Sequence, residues 1–220
     1  MTVTATLVAR GLLLDMDSTL VNSEAAVERL WRGWAAAHGL VAADVLAVAH
    51  GRQGWATMAE LLPDRPMELN LADNARMLAE ETVAVEGVVP VAGAPSFMAA
   101  IAQLPHALVT SANIALTESR MGAAGLPIPA VRITSESVTL SKPDPEGFLK
   151  AAAELGLSTE DCVVFEDSEA GIAAGKAAGM RVIGVGPRAA AFTPTAHVDD
   201  LTRIRVEQLA DGAIAVHVTA

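Results

Sequence analysis

Three short apolar runs that each stop abruptly at acids or hydroxyls constrain the fold of this chain most. Leu12-Leu13-Leu14 ends in Asp15-Met16-Asp17-Ser18-Thr19, Ala107-Leu108-Val109 ends in Thr110-Ser111, and Val163-Val164-Phe165 ends in Glu166-Asp167. Runs of this length read as strands buried on both faces. With two further apolar runs they give core strands near residues 11–16, 106–110, 130–134, 162–166 and 181–185, with helical patterns between them. Alternating strands and helices predict an α/β fold, a Rossmann-like parallel sheet with helices on both faces. Between the first strand and the second lie about ninety residues, far more than one crossover needs. From Ser23 to Glu86 this stretch carries helical spacing, as in Ala26, Leu30, Trp31 and Trp34, with Pro63 and Pro66 between helices. It is expected to form an inserted α-helical cap over residues 22–91, on a core made of 1–21 and 92–220. The Trp and Met stripes read as the cap's own core. Near the C-terminus, 204–206 and 214–216 are expected to pair as a hairpin across Asp211-Gly212, and 2–8 as another edge strand.

Ligands of open α/β sheets gather at the carboxyl ends of parallel strands, so these terminal residues should share a cleft. Asp15 and Asp17 would repel each other there and lose hydration unless a cation offset them. A turn acid capping a strand would explain the pair taken alone, as an N-cap would explain Ser111. In Ser141-Lys142-Pro143-Asp144-Pro145 the lysine should sit in extended backbone ahead of a helix that Asp144 caps, Pro145 begins and Gly156 ends. The chain has only three lysines, and Lys150 and Lys176 fall within helix patterns. Glu166 and Asp167 are hard oxygen donors of the kind Mg²⁺ takes.

In this order the segments resemble the signature motifs of the haloacid dehalogenase-like hydrolase superfamily, in its helical-cap, β-phosphoglucomutase-like subgroup. The match runs through Asp15-x-Asp17-Ser-Thr, Ser111, Lys142-Pro-Asp-Pro, and Glu166-Asp167 followed by Ala170-Gly171 and Ala174-Gly175. Ser18 and Ser141 stand where glycine is usual. The resemblance implies a phosphatase in which Asp15 is the nucleophile and Asp17 the general acid and base. Mg²⁺ would be held by Asp15, the backbone carbonyl of Asp17 and Asp167, with Glu166 direct or through water. Ser111, Lys142 and the backbone N–H groups of Met16 and Ala112 would hold phosphate oxygens. Asp17 argues against a dehalogenase, which has no use for it, and a cap without lysine argues against a Schiff-base phosphonate hydrolase. A β-phosphoglucomutase carries a cap histidine where this chain has Val27. His50-Gly51-Arg52 looks like the substrate loop of the glycerol-phosphate and sugar-phosphate phosphatases, so Arg52 and His50 are candidate substrate contacts. Asn22 and Glu24, at the cap entrance, read as capping residues.

Composition narrows the partners. A formal net charge of −11 opposes nucleic acid or an anionic membrane surface. An anionic substrate therefore needs local positive charge, which a metal and Lys142 would supply. The single cysteine, Cys162, lies in a buried strand, so no intramolecular disulfide can form. Arg10 and Asp15 interrupt the N-terminal apolar stretch, so no signal peptide is expected, and no run has the length of a membrane span. The expected partner is a small phosphorylated metabolite, and the expected state a cytoplasmic monomer. A mutase, or a non-catalytic phosphometabolite-binding relative, is the alternative.

Overall fold

The computed structural model describes residues 3–49 and 52–219. Its centre is a six-stranded parallel sheet. The strands are β2 (Gly11–Leu14), β5 (His106–Val109), β6 (Val131–Ile133), β7 (Cys162–Glu166), β8 (Arg181–Val185) and β9 (Ala196–Val198). They lie in the order β6-β5-β2-β7-β8-β9. The chain builds outward from β2 through β5 to β6, then returns to the other side of β2 to add β7, β8 and β9. The order reverses between β2 and β7, which places the ligand crevice of such a sheet beside Asp15. Five of these strands match the sequence expectation. The sixth, β9, is three residues long, contains His197 and follows Pro194, and so lacks an apolar run.

Side chains of the fully buried strands go alternately to the two sheet faces. Leu12, Leu14, Leu108 and Phe165 join one core, with Phe97 and Met98 of α5 (Ala94–Ile101) and Leu116 and Met121 of α6 (Ile114–Ala123). Leu13, Ala107 and Val164 join the other, with Phe148 of α7 (Glu146–Glu154) and Ile172 of α8 (Glu169–Ala177). Cys162 is fully buried there, and burial pushes its thiol up to about 11, as fits a core residue.

Four helices are inserted after β2: α1 (Glu24–Ala37), α2 (Ala42–Ala49), α3 (Gly54–Leu61) and α4 (Met67–Val83). They have an apolar core of their own around Trp31, Trp34, Val45, Met58 and Met77. Val21–Asn22 (β3) and Val89–Pro90 (β4) pair antiparallel, so the chain enters and leaves the insertion side by side. The expected hairpin forms between β10 (Ile204–Gln208) and β11 (Ile214–Thr219). The N-terminal strand β1 (Val3–Ala9) joins β11 rather than the parallel sheet, making a three-stranded antiparallel sheet. Its Leu7, Ile214, Val216 and Val218 pack into the first core. Among the described residues no helix is long and apolar enough to cross a membrane.

Candidate active site

The loops after β2, β5 and β7, three adjacent strands, converge at one cleft. Asp15 follows β2, and its backbone N–H donates to the Phe165 carbonyl at 3.0 Å, extending the ladder to the site. Its carboxylate is 7% exposed and accepts from Lys142 Nζ at 2.6 Å. The same ammonium donates to Glu166 Oε1 at 2.7 Å and to the Val109 carbonyl at 3.0 Å, so all three of its protons have partners. Lys142 comes from the segment before α7, where Asp144 Oδ1 accepts the Glu146 N–H and Gly156, with φ of +71°, ends the helix. That is the turn expected from the sequence, except that Pro145 itself holds the N-cap position.

Glu166 is fully buried. Its second oxygen accepts from the Ser168 N–H at 2.8 Å and the Ser168 hydroxyl at 2.9 Å. Helix α8 approaches it so closely that a Cβ on Gly171 would lie 1.6 Å from Glu166 Oε1. The Ala170-Gly171 motif thus records close backbone approach to a buried carboxylate. Asp167 follows, buried, with Arg188 Nη2 at 3.2 Å. Arg188 also reaches Glu24 of α1 at 2.6 Å, so Glu24 pairs across to the core while Asn22 Oδ1 accepts the Glu24 N–H at 3.2 Å.

Carboxylate oxygens of Asp15, Glu166 and Asp167 lie within 4.8 Å of one another. Burial raises Asp15 to about 7, and Glu166 and Asp17 push the same way against the opposing pull of Lys142. Burial, then Glu166 and Asp15, hold Asp167 well above the ordinary carboxylate range. Burial also disfavours the charged Lys142, yet Asp15 and Glu166 outweigh it and hold the ammonium above the usual lysine range. Lys142, and Arg188 at the rim beside Asp167, do not fully offset three buried carboxylates, since Asp15 and Asp167 both stay raised. The donors are hard oxygens, two carboxyls retain unused lone pairs, and a divalent cation would relieve the remaining repulsion.

Asp17 is turned differently. Its Oδ1 accepts the Ser23 hydroxyl at 2.6 Å and its Oδ2 accepts from Arg120 at 2.7 Å. Its carboxylate stands apart from the buried trio, leaving the backbone carbonyl for any part in metal binding. Ser18, where glycine is usual, has φ of +60°, so the turn between the two aspartates and the insertion does use the left-handed region. Ser111 lines the cleft, and the helix N-cap is Asn113, whose side chain accepts the Leu116 N–H at 2.8 Å. The capping reading of Ser111 is therefore replaced by its neighbour. The Ala112 N–H donates to the Thr110 hydroxyl at 3.1 Å, and the Met16 side chain is fully buried, so both would meet a phosphate through backbone alone.

Above these groups lies an open cavity of about 330 Å³, lined on its other side by the helical insertion. Arg52 lines it, but its guanidinium pairs with Glu60. His50 lies outside the described residues. Trp31 and Met77 both belong to the insertion's core and face this cavity, and Trp55, Gln53 and Asn74 join them. Val27 lines it too, an apolar side chain at the position discussed above. Sequence reasoning passed over Arg120, Glu81 and Arg188, because a charged residue in an amphipathic helix or a surface turn ordinarily faces water.

The haloacid dehalogenase-like hydrolase family matches residues 9–179. Hexitol phosphatase A of Escherichia coli is 38% identical over 202 residues, 91% of this chain and 93% of that one. Glycerol-1-phosphate phosphohydrolase 2 of Saccharomyces cerevisiae is 31% identical over 185 residues, 79% of this chain and 73% of its own length. The crystal structure of a hydrolase from Pseudomonas syringae superposes with a TM-score of 0.78, covering 87% of this chain and 94% of that one at 18% identity. By the family match over residues 9–179, the chain belongs to the haloacid dehalogenase-like hydrolase family.

Proposed function

We propose that this hydrolase is a Mg²⁺-dependent phosphatase of small sugar or polyol phosphates, working through an aspartyl-phosphate on Asp15. The observation that carries the reading is the buried Lys142 ammonium, 2.6 Å from Asp15 and 2.7 Å from Glu166, beneath a cavity that Asp17 and Ser111 also line. A fixed cation beside a buried carboxylate suits a nucleophile that must meet an anion. Asp15 attacks phosphorus in line while Asp17 gives its proton to the leaving alcohol oxygen. Asp17 then takes a proton from the water that attacks the acyl phosphate, and Asp15 leaves as carboxylate. Ser111, Lys142 and the N–H groups of Met16 and Ala112 hold the non-bridging oxygens, Ala112 giving up its bond to Thr110. Asp15, Asp167 and the carbonyl of Asp17 would hold Mg²⁺, with Glu166 acting through water because Lys142 and Ser168 already occupy its oxygens. When bound, the ion would supply the positive charge that lets phosphate approach a carboxylate. Residues 22–91 act as the cap that excludes water, moving on the paired connections β3 and β4.

The cap side of the cavity supports an uncharged, hydroxyl-bearing leaving group. Gln53, Asn74, Trp31 and Trp55 offer amides and aromatic faces, and Arg52 already has Glu60. Hexitol and glycerol phosphate phosphatases among the relatives point the same way, and Val27 in place of the mutase histidine favours hydrolysis. The test is phosphate release from hexitol phosphates, glycerol phosphates, hexose 6-phosphates, phosphoglycolate and β-glucose 1-phosphate, with Mg²⁺ and with EDTA. Mg²⁺-dependent release from polyol or sugar esters is expected. Conversion of β-glucose 1-phosphate to glucose 6-phosphate without release would overturn the reading in favour of a mutase.

A further inference from the structure

Arg120 is 4% exposed, on the core helix α6, and its guanidinium has two carboxylate partners on different parts of the chain. One nitrogen donates to Asp17 Oδ2 at 2.7 Å, the other to Glu81 Oε2 on α4 at 2.5 Å. Its helix is held firmly: Asn113 caps it, and Leu116 and Met121 are buried in the sheet core. Helix α4 is tied alongside, with the Ser119 hydroxyl donating to the Thr82 carbonyl at 2.6 Å. Glu81 is largely withdrawn from water and held above the ordinary glutamate range by that partial burial, against the pull of Arg120.

A buried guanidinium needs a partner, and Glu81 alone would satisfy its charge. The second arm on Asp17 is not required for that purpose. It fixes one oxygen of a carboxylate that lines the substrate cavity, and the Ser23 hydroxyl fixes the other at 2.6 Å. The planar fork makes the placement directional, as a lysine would not.

We propose that Arg120 is a positioning residue that sets where Asp17 delivers and accepts its proton, with Glu81 fixing the guanidinium fork. The inference rests on the acid–base role given to Asp17 above. It has a signature that loss of structure does not share. An alkoxide leaving group needs a proton from Asp17 and p-nitrophenolate does not, while kcat/KM reports the step in which that group leaves.

The experiment compares kcat/KM for p-nitrophenyl phosphate with that for the alkyl ester turned over best in the panel, in wild type, Arg120→Gln, Arg120→Lys, Glu81→Gln and Asp17→Asn. Melting curves establish that each variant is folded. Arg120→Gln is expected to depress the alkyl ester about 10- to 100-fold more than the aryl ester. Arg120→Lys should recover part of that ratio, and Glu81→Gln should lower it less. The double variant Arg120→Gln/Glu81→Gln should be no worse than Arg120→Gln alone, since the two act through one contact. Equal losses on both esters in Arg120→Gln, beside a selective loss in Asp17→Asn, would overturn the proposal alone. Equal losses in Asp17→Asn itself would overturn the acid–base reading and this proposal with it. Should Arg120→Gln fail to fold, the lysine and Glu81→Gln ratios decide the matter by the same criterion.

Discussion

Asp15 has been taken out of water beside two other carboxylates, with the Lys142 ammonium as its own compensating partner. Its folded-state value of about 7 lies far above the ordinary 3.8, so ionising it costs stability, and that cost grows as pH rises through this interval. Asp15→Asn removes the charge and keeps the shape. It should abolish phosphate release while leaving the melting temperature equal to or above that of wild type at about pH 8. Wild-type turnover in this variant would refute the nucleophile assignment. Gly171→Ala is the opposite kind of change. Its methyl would fall 1.6 Å from Glu166 Oε1, so Glu166 or α8 must shift. The expected result is a loss of about 2–4 kcal/mol in denaturant unfolding, with lower activity because Glu166 also holds Lys142. A neutral outcome would mean that the close approach is not maintained in solution. The sequence was informative where the family motifs stand: Asp15, Asp17, Glu166 and Asp167 close apolar runs, and Lys142 was singled out by the motif ahead of α7. It was silent where a charge sits on a helix, because nothing local distinguishes buried Arg120 from solvated Arg76 three turns into α4.

Between elements, the insertion depends on Asp73 of α4. Its carboxylate accepts from Trp34 Nε1 of α1 at 3.0 Å and from Arg65 at 2.7 Å. Burial opposes the charge, but Trp34, Arg76 and Arg65 together hold Asp73 below the ordinary aspartate range. The stability this contributes is therefore present above the unfolded-state value and lost as pH falls through the depressed one. Asp73→Ala should cost about 1–3 kcal/mol, read by chemical denaturation, with hydrogen exchange accelerated in α1 and α4 before the sheet. Uniform acceleration throughout would show that the insertion does not open by itself. Arg52 lies just before α3 and lines the cavity, so Arg52→Ala should be felt by the substrate. KM for the physiological ester should rise more than KM for p-nitrophenyl phosphate, and equal changes would deny it a substrate-reading role. Apolar runs revealed five of the six parallel strands, and helical spacing the insertion. The pairing of β1 with β11, from opposite ends of the chain, left no local trace, and β9, Ala-His-Val just after Pro194, carries no large apolar residue besides Val198 to mark it.

For the molecule as a whole, the sheet order brings the ends of β5, β2 and β7 side by side, and the insertion covers them. A cation balancing the buried carboxylates would bind only when that arrangement is formed, which would link binding to folding. Mg²⁺ should raise the melting temperature by more at about pH 8 than at about pH 6, where Asp15 holds its proton longer. The difference should vanish in Asp15→Asn; a shift independent of pH and of Asp15 would place the ion elsewhere. Covalent chemistry at Asp15 can be checked by trapping the intermediate. Protein is mixed with radiolabelled substrate and Mg²⁺, quenched in acid within one turnover, and digested. Label is expected on the peptide containing Asp15, released by hydroxylamine and absent from Asp15→Asn. Full-rate phosphate release with no labelled protein under single-turnover conditions, or label on another residue, would contradict it.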